Sequence, residues 1–600
     1  MAHHAIQPVP LTRGQRWLFA AALIALAVSA SWTGVFNEFT YDDRFIVQSN
    51  VAMHDLRNWW RFFGMPYWPA QWGSDGYRPV TILAYSIEWA AGHGKPWIFH
   101  AVNIGLYAVV SVAVFYLAET VLPFAAAWVA AALFAVHPLH VEAVANVVGQ
   151  SELLVAMFMI PAVTIYVRRR NANEMTAGPM VAIALLYAAA CLAKEHGFVL
   201  PVVLVAAELV VVQDKTPLRA RLATLRPFAL SLALISAAYL WVHAQINHDL
   251  AGFHPYVPFG GVGSGVTGRA FTMFGLVPEW FRLFLWPNHL SAEYGPPAFP
   301  VVNEFQWYQA PGLLALAGVL ALGVATWRKA PAVSFGIWFL VITLLPTSNF
   351  IVPSGILLAE RTLFMPSVGV MIAVAAVVPW LYVHARSRPW RIVAVAALPA
   401  LLALGAWRSD ERTGVWKDNE TLFATTVVDA PFVYRSHFML GAWKLSLKRK
   451  VEGEREYRLA MAMYDKDPFV YYSLGEDYRL FGMFKPAIVM FRRALQVDTT
   501  MIEARARIAL SLASLGRWPE ANSEAIMALR QNTLSTTAML RIIRRAAAEA
   551  KRSTAASSAD SGRVGTAPSP PRDSGKVPAT VQNPSSPAAT APVAKTKPPI

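Results

Sequence analysis

Residues 13–44 read RGQRWLFAAALIALAVSASWTGVFNEFTYDDR. Two arginines precede an apolar run from Trp17 to about Val35, and a pair of aspartates, Asp42 and Asp43, follows it within a few residues. An apolar run of this kind approaches the ~20 residues that cross about 30 Å of hydrocarbon. Val28-Ser29-Ala30 also resembles a signal-peptidase site. The same oily character recurs along the chain, however, so the run reads as the first of a series. The 600 residues are 56% hydrophobic and 15% charged, whereas soluble domains run at about 45–50% apolar and about 25% charged. An ordinary soluble enzyme is excluded. The net charge of +15 then reads as basic cytoplasmic loops and not as a nucleic-acid surface. The single cysteine, Cys191, excludes an internal disulfide framework and a cysteine metal cluster.

Further candidate spans lie near 98–120, 122–136, 151–167, 178–193, 197–213, 227–246, 311–327, 331–346, 361–383 and 390–407. Basic clusters at Arg13/Arg16, Arg168–Arg170, Lys215–Arg226, Arg328-Lys329 and Arg386/Arg388/Arg391 fall on one side if 269–289 does not cross. That segment contains Pro278, Glu279 and Pro287 and reads as re-entrant or interfacial. The positive-inside rule then predicts about eleven crossings, with the N-terminus cytoplasmic and the C-terminal region outside. In the first outward loop, Leu56, Trp59, Trp60 and Phe63 line one face of a short helix with interspersed arginines, a pattern suited to the headgroup layer.

After about residue 430 the pattern changes. Leu440-Gly441, Leu474-Gly475 and Ile508-Ala509 recur every 34 residues, as do Ala460, Ala494 and Ala528, with Tyr457, Phe491 and Ala525 three residues before those alanines. This period and these offsets are the tetratricopeptide signature of stacked helix pairs. The predicted fold class is therefore α: a polytopic membrane domain over 1–410, a linker over 411–433, about three repeats over 434–535, a helical extension over 536–550, and a disordered Pro/Ser/Ala-rich tail over 551–600.

Acids at the ends of apolar spans are costly and invite a functional hypothesis. Asp42 or Asp43, near the outer membrane surface, could take a proton from an alcohol; alternatively they solvate or cap a loop. His137, His140 and Glu142, in HPLHVE, suit a divalent ion, the orientation of an acceptor, or the capping of a helix; no third fixed ligand accompanies the H-x-x-H spacing. Glu152 lies one turn into the next span, as a buried acid or a helix N-terminal charge. Arg78, Lys194 and Arg361 could grip a phosphate; the local alternative pairs Lys194 with Glu195 and Arg361 with Glu360.

FTYDDRFIVQSN, YRPVTILAYSIEWAAGHGKPWIFHAVNIGLY, LFAVHPLHVEAVANVVGQSELL, AKEHGFVLP, LFLWPNHLSAEYGPP, LLPTSNF and AERTLFMPSVG, in this order and followed by the repeats, resemble the transmembrane and tetratricopeptide-repeat O-mannosyltransferases over roughly residues 15–535. More distantly the chain looks like the protein O-mannosyltransferases and other enzymes of the GT-C fold, which use lipid-phosphate sugars. The resemblance implies transfer of a sugar, mannose in the family, from a polyprenyl or dolichyl phosphate to a Ser/Thr hydroxyl of a protein, with inversion. It implies Asp42 or Asp43 as base, Arg78, Lys194 and Arg361 at the leaving phosphate, and His137, His140 and Glu142 at the sugar or acceptor. Glu152 is placed with these sugar- or acceptor-binding residues, but Glu152 and Gln150 depart from the family's pattern, which leaves the role of 150–152 open.

No Walker-type loop and no GxGxxG is present, as suits a donor carried on a lipid. The expected cofactor is none beyond that lipid-phosphate sugar, with a divalent metal left open. The expected partners are the bilayer, the polyprenyl-linked sugar, and an acceptor polypeptide or partner protein on the repeats, with no nucleic acid. The expected location is a bacterial inner membrane with periplasmic repeats, or an endoplasmic reticulum membrane with luminal ones. The alternatives are a non-enzymatic scaffold that recruits partners through its repeats, and a transporter or ligase of lipid-linked glycans.

Overall fold

The computed structural model describes residues 12–69, 76–247, 265–379, 388–530 and 548. The chain divides into two units, Met1–Ile543 and Arg544–Ile600, and every described residue except 548 belongs to the first. Apart from that residue, the helical extension expected over 536–550 and the tail over 551–600 lie outside the described residues.

Helices dominate, and the only β pairing among the described residues is two isolated bridges, Tyr294 with Leu358 and Pro297 with Val433. The opening apolar run forms the helix Arg13–Ser29, started by a capping box in which Thr12 and Gln15 satisfy each other's backbone N–H groups. Proline occupies the first position of Pro79–Gly92, Pro96–Ala118 and Pro331–Leu344, where its missing N–H costs nothing.

Four described helices are long and apolar enough to cross a bilayer: Pro96–Ala118, Val147–Asn171, Leu218–Asn247 and Trp307–Thr326. The pair Phe124–Ala135 and Pro138–Ala145, bent by 50°, makes a fifth if it is one span. The count differs from the eleven crossings expected because several apolar runs are short: Ala177–Ala193 and Pro331–Thr347 fall below 18 residues, and Leu200–Val210 has 11. Val266–Leu285 is a continuous 20-residue helix through Pro278, which therefore does not interrupt this segment as its sequence suggests; the helix ends just before Pro287. The outward faces remain oily, with Trp241 67% and Leu314 70% exposed. Apolar surface of this extent needs lipid around it, and the chain is built as an integral membrane protein.

Where helices cross inside this bundle, small residues let backbones touch. A Cβ on Gly336 would lie 2.5 Å from the Gly369 carbonyl oxygen, and one on Gly369 would lie 2.3 Å from that of Gly336. Pro331–Leu344 and Phe364–Ala375 therefore meet glycine to glycine, a contact that dispersion and close approach stabilise where no hydrophobic drive operates. The segment after the first apolar helix folds back as a small core of its own, with Phe39, Ile46, Val47, Phe62, Tyr67 and Tyr85 packed with Val147 and Val148.

Beyond the helix Arg388–Thr413, Asn419–Asp429 leads into three antiparallel helix pairs: Tyr434–Ser446 with Lys450–Met463, Pro468–Leu480 with Phe484–Val497, and Ile502–Ser514 with Trp518–Arg530. The periodic residues are the buried ones: Tyr457, Phe491, Ala460, Ala494 and Ala528 are all packed between helices. The turns repeat as well. Lys448, Gly482 and Gly516 each adopt a left-handed φ of +62 to +72°.

Candidate functional site

The two neighbouring aspartates have different surroundings. Asp43 is 0% exposed. Its carboxylate accepts backbone N–H bonds from Val148 (2.9 Å), Val147 (3.2 Å) and Thr40 (3.2 Å). It thereby ties the first loop to the turn Val147–Gly149, and burial pushes it up to about 7 against the pull of those amides. Asp42 keeps 19% of its side chain exposed, and its Oδ2 lies 3.4 Å from the Arg361 guanidinium. Burial raises Asp42 above the ordinary carboxylate range, and the Arg361 charge opposes that rise. Of the pair, only Asp42 has a carboxylate open to an incoming group.

Arg361 stands in the turn Glu360–Leu363, at the entrance to Phe364–Ala375. Its backbone N–H donates to Glu142 Oε2 at 2.9 Å and its Nη1 to Glu142 Oε1 at 2.6 Å. Glu142 is buried on the short helix Val141–Ala145. The Asp42–Arg361–Glu142 row therefore joins three segments that are far apart in sequence.

Lys194 and Arg78 complete the positive side. Lys194 pairs with the buried Glu152, whose other carboxylate oxygen lies 3.3 Å from His196 Nδ1. Arg78 pairs with Glu195 at 2.9 Å and lies over the Tyr67 ring at 4.4 Å. The local pairings are thus not the ones formed: Lys194 takes Glu152 in place of Glu195, and Arg361 takes Glu142 in place of Glu360. Lys194 feels the charges of both Arg78 and Arg361, and Asp42 feels Arg78 as well as Arg361. The three cations singled out in the sequence share one electrostatic neighbourhood with Asp42.

The histidines lie deeper. His137 Nε2 donates to the Phe284 carbonyl at 3.1 Å while its Nδ1 accepts from the Leu139 N–H at 3.4 Å, so it caps the turn Pro138–His140. His140 is buried between the hydroxyls of Tyr107 (3.0 Å) and Ser367 (2.8 Å). Both rings hold helices together, and Glu142 is occupied by Arg361. The metal-ligand set considered for His137, His140 and Glu142 is not assembled. Among the described residues no three His, Cys, Asp or Glu side chains are grouped so as to hold a metal ion. The His140 ring is enclosed, whereas His137 is only partly buried and has both ring nitrogens engaged in hydrogen bonds.

Three residues without a role in the sequence reading lie beside Asp42. Tyr41 donates its hydroxyl to Glu293 Oε1 at 2.6 Å, and Arg435 Nε holds Glu293 Oε2 at 2.9 Å. Glu293 lies in LFLWPNHLSAEYGPP, a stretch already distinctive in sequence. Arg435, at the start of the helix pairs, carried no signal of its own.

No family model matches the chain. Curated relatives do. The chain is 26% identical over 431 residues to "Protein O-mannosyl-transferase TMTC3" of Mus musculus, covering 68% of this chain and 46% of the relative. It is 26% identical over 506 residues to "Protein O-mannosyl-transferase TMTC1" of Homo sapiens, covering 76% and 56%. It is also 26% identical over 457 residues to "Protein O-mannosyl-transferase TMTC4" of Homo sapiens, covering 67% and 61%. The chain spans about half the length of the curated relatives it matches. Among solved structures, "Archaeal oligosaccharyltransferase AglB from Archaeoglobus fulgidus in complex with an inhibitory peptide and a dolichol-phosphate" aligns over 66% of this chain and 56% of that one, at 15% identity and a TM-score of 0.37, too low to establish a shared fold. With motifs and alignments pointing the same way, the chain is a relative of the protein O-mannosyl-transferases TMTC1, TMTC3 and TMTC4.

Proposed function

We propose that this protein is an integral-membrane glycosyltransferase of GT-C type that moves a sugar, mannose by analogy with its named relatives, from a polyprenyl or dolichyl phosphate to a Ser/Thr hydroxyl of a polypeptide. The observation that carries the reading is the partly open Asp42 carboxylate, 3.4 Å from Arg361, in a neighbourhood that also holds Arg78 and Lys194. A hydroxyl is a poor nucleophile at neutral pH and needs a base. A departing phosphate needs preorganised positive charge.

In this reading Asp42 removes the hydroxyl proton as the oxygen attacks the anomeric carbon. The carbon–phosphate-oxygen bond breaks, and the lipid phosphate leaves against Arg361, Arg78 and Lys194. Attack opposite the leaving group inverts the anomeric carbon. Glu142 orients Arg361, and Asp43 holds the loop that carries Asp42. The helix pairs, read as tetratricopeptide repeats on the non-cytoplasmic side, offer a surface for the acceptor chain. No step in this scheme calls for a metal ion.

The test is purified protein with polyprenyl-phosphate mannose and a hydroxyl-bearing peptide, with and without chelator, alongside Asp42→Asn. Transfer by the wild type that is lost in Asp42→Asn and unaffected by chelator supports the reading. Equal transfer by both proteins removes Asp42 as the base. Loss of transfer on chelation alone would reopen the metal alternative. A wild type that transfers no sugar from any lipid-phosphate donor leaves the scaffold and the glycan transporter or ligase as the better readings.

A further inference from the structure

We propose that Tyr41, Glu293 and Arg435 form a positioning device through which the segment following the last apolar helix aims the Asp42 carboxylate and tunes its charge. The inference rests on the reading of Asp42 as the base.

Tyr41 adopts a φ of +53°, a left-handed conformation that is strained for any residue but glycine. Such strain persists only where the surroundings over-determine it, and here they do. The Tyr41 N–H donates to Asn419 Oδ1 at 2.8 Å. Its ring meets Trp416 edge-on at 6.4 Å and Phe423 at 6.2 Å. Its hydroxyl donates to Glu293, which Arg435 holds through Nε at 2.9 Å and Nη2 at 3.4 Å. Every one of these clamps except Glu293 comes from residues 416–435, more than 370 positions along the chain from Tyr41. The backbone twist they enforce is the one that sets the direction of the next residue, Asp42.

The same residues bear on the charge of Asp42. The groups that act on it are Arg361 from the turn Glu360–Leu363, Glu293 from the loop after Val266–Leu285, Arg435 from Tyr434–Ser446, and Arg78 from the first loop. Asp43, Glu142 and Tyr41 are coupled to it as well. Glu293 favours the protonated form of Asp42 and Arg435 favours the ionised form.

The experiment is the pH dependence of kcat for sugar transfer by full-length protein in detergent, with Asp42→Asn as the reference. Glu293→Gln still accepts the Tyr41 hydroxyl but removes a negative charge, so the acid limb of the profile should move to lower pH. Arg435→Gln removes a positive charge, so the limb should move to higher pH, and Arg435→Lys should return it towards the wild-type position. Tyr41→Phe keeps the ring contacts and loses the hydroxyl bond; its kcat should fall by about tenfold or more with the donor KM unchanged, as a misaimed base requires. If Arg435→Gln does not fold, Glu293→Gln and Tyr41→Phe carry the test. Limbs that stay put or shift in the same direction, or an unchanged kcat in Tyr41→Phe, overturn the inference. If Asp42→Asn is as active as the wild type, the base assignment itself has failed.

Discussion

The Arg361 guanidinium reaches Asp42 at 3.4 Å with one nitrogen while its other terminal nitrogen is fixed 2.6 Å from Glu142. The longer contact is the adjustable one. A charge-assisted bond of this kind runs about 2.7–2.9 Å when fully made. Arg361 can therefore stay anchored on Glu142 while its free edge meets a second anion beside Asp42. In the proposed reaction that anion is the lipid phosphate.

The two aspartates should separate cleanly on mutation. Asp42→Asn is expected to leave the apparent melting temperature close to wild type, because Asp42 makes one long contact, and to lower kcat by at least about 100-fold, as loss of a general base does. Asp43→Ala should lower the melting temperature, and should lower kcat only as far as the loop that carries Asp42 loosens. It leaves three buried N–H groups without an acceptor, at about 1–3 kcal/mol for each group left unsatisfied. Paired measurements of transfer rate and thermal unfolding check both halves. A stable, inactive Asp43→Ala beside an active Asp42→Asn would exchange the roles.

That separation could not be read from the sequence. Asp42 and Asp43 are adjacent acids at a span end, and only the contact of Asp43 with Val147 and Val148, more than 100 residues away, tells them apart. The ion pairs were hidden for the same reason. Proximity in sequence suggests Lys194 with Glu195 and Arg361 with Glu360, whereas the folded chain takes Glu152 and Glu142 from other helices. What the sequence did carry was periodic. The apolar runs mark where helices lie, and the 34-residue spacing picks out Tyr457, Phe491 and the three alanines that are buried between paired helices, because burial repeats with the backbone geometry. The stretches HPLHVE, AKEHG and AERTL all border the charged neighbourhood of Asp42. Glu293 lay in such a stretch without an assignment, and Arg435 depends on a tertiary contact alone.

The proton on Asp43 gives a stability test with a definite sign. Its folded value of about 7 lies above the 3.8 of an ordinary aspartate. The native state therefore holds the proton more tightly than the unfolded chain. The associated stabilisation is fully present below about pH 4 and is lost as pH rises towards 7. Asp43→Asn, neutral throughout, serves as the reference. Wild-type stability should fall relative to this variant between about pH 4 and 7, and the difference should level off above that. A wild type that gains on the variant over the same window would mean that the three amides hold Asp43 ionised.

Lys448 occupies the turn where the next two helix pairs place Gly482 and Gly516, all with φ of +62 to +72°. The lysine is exposed, and its backbone bears a strain that glycine avoids. Lys448→Gly should stabilise the protein by about 0.5–1 kcal/mol, the balance of relieved strain against the greater freedom of glycine in the unfolded chain. A higher apparent melting temperature with unchanged transfer is the expected result. The same substitution would leave stability unchanged or lower it if the Lys448 turn relaxed to negative φ in solution.

The Lys194–Glu152 pair sets fold and function against each other, and a double variant separates them. Both groups are largely removed from solvent, with Lys194 at 11% and Glu152 at 1% side-chain exposure. Breaking such a pair by removing one partner costs about 3–5 kcal/mol, because the other charge stays buried, while replacing both partners together is often close to neutral. Lys194→Met alone should therefore lower stability strongly, and its loss of activity would say nothing of donor binding. Lys194→Met with Glu152→Gln should recover much of the fold, with His196 still able to donate to the Thr343 carbonyl at 2.7 Å. If the ammonium also holds the donor phosphate, the recovered protein will show a raised KM for the polyprenyl-phosphate sugar and a weaker response of that KM to salt. If it only balances Glu152, the double variant will bind donor as the wild type does. Arg78→Gln is the matching control, since Arg78 belongs to the same neighbourhood but pairs with Glu195. A donor KM that rises in Arg78→Gln and not in the double variant would assign the phosphate to the two arginines and leave Lys194 as a structural counter-charge.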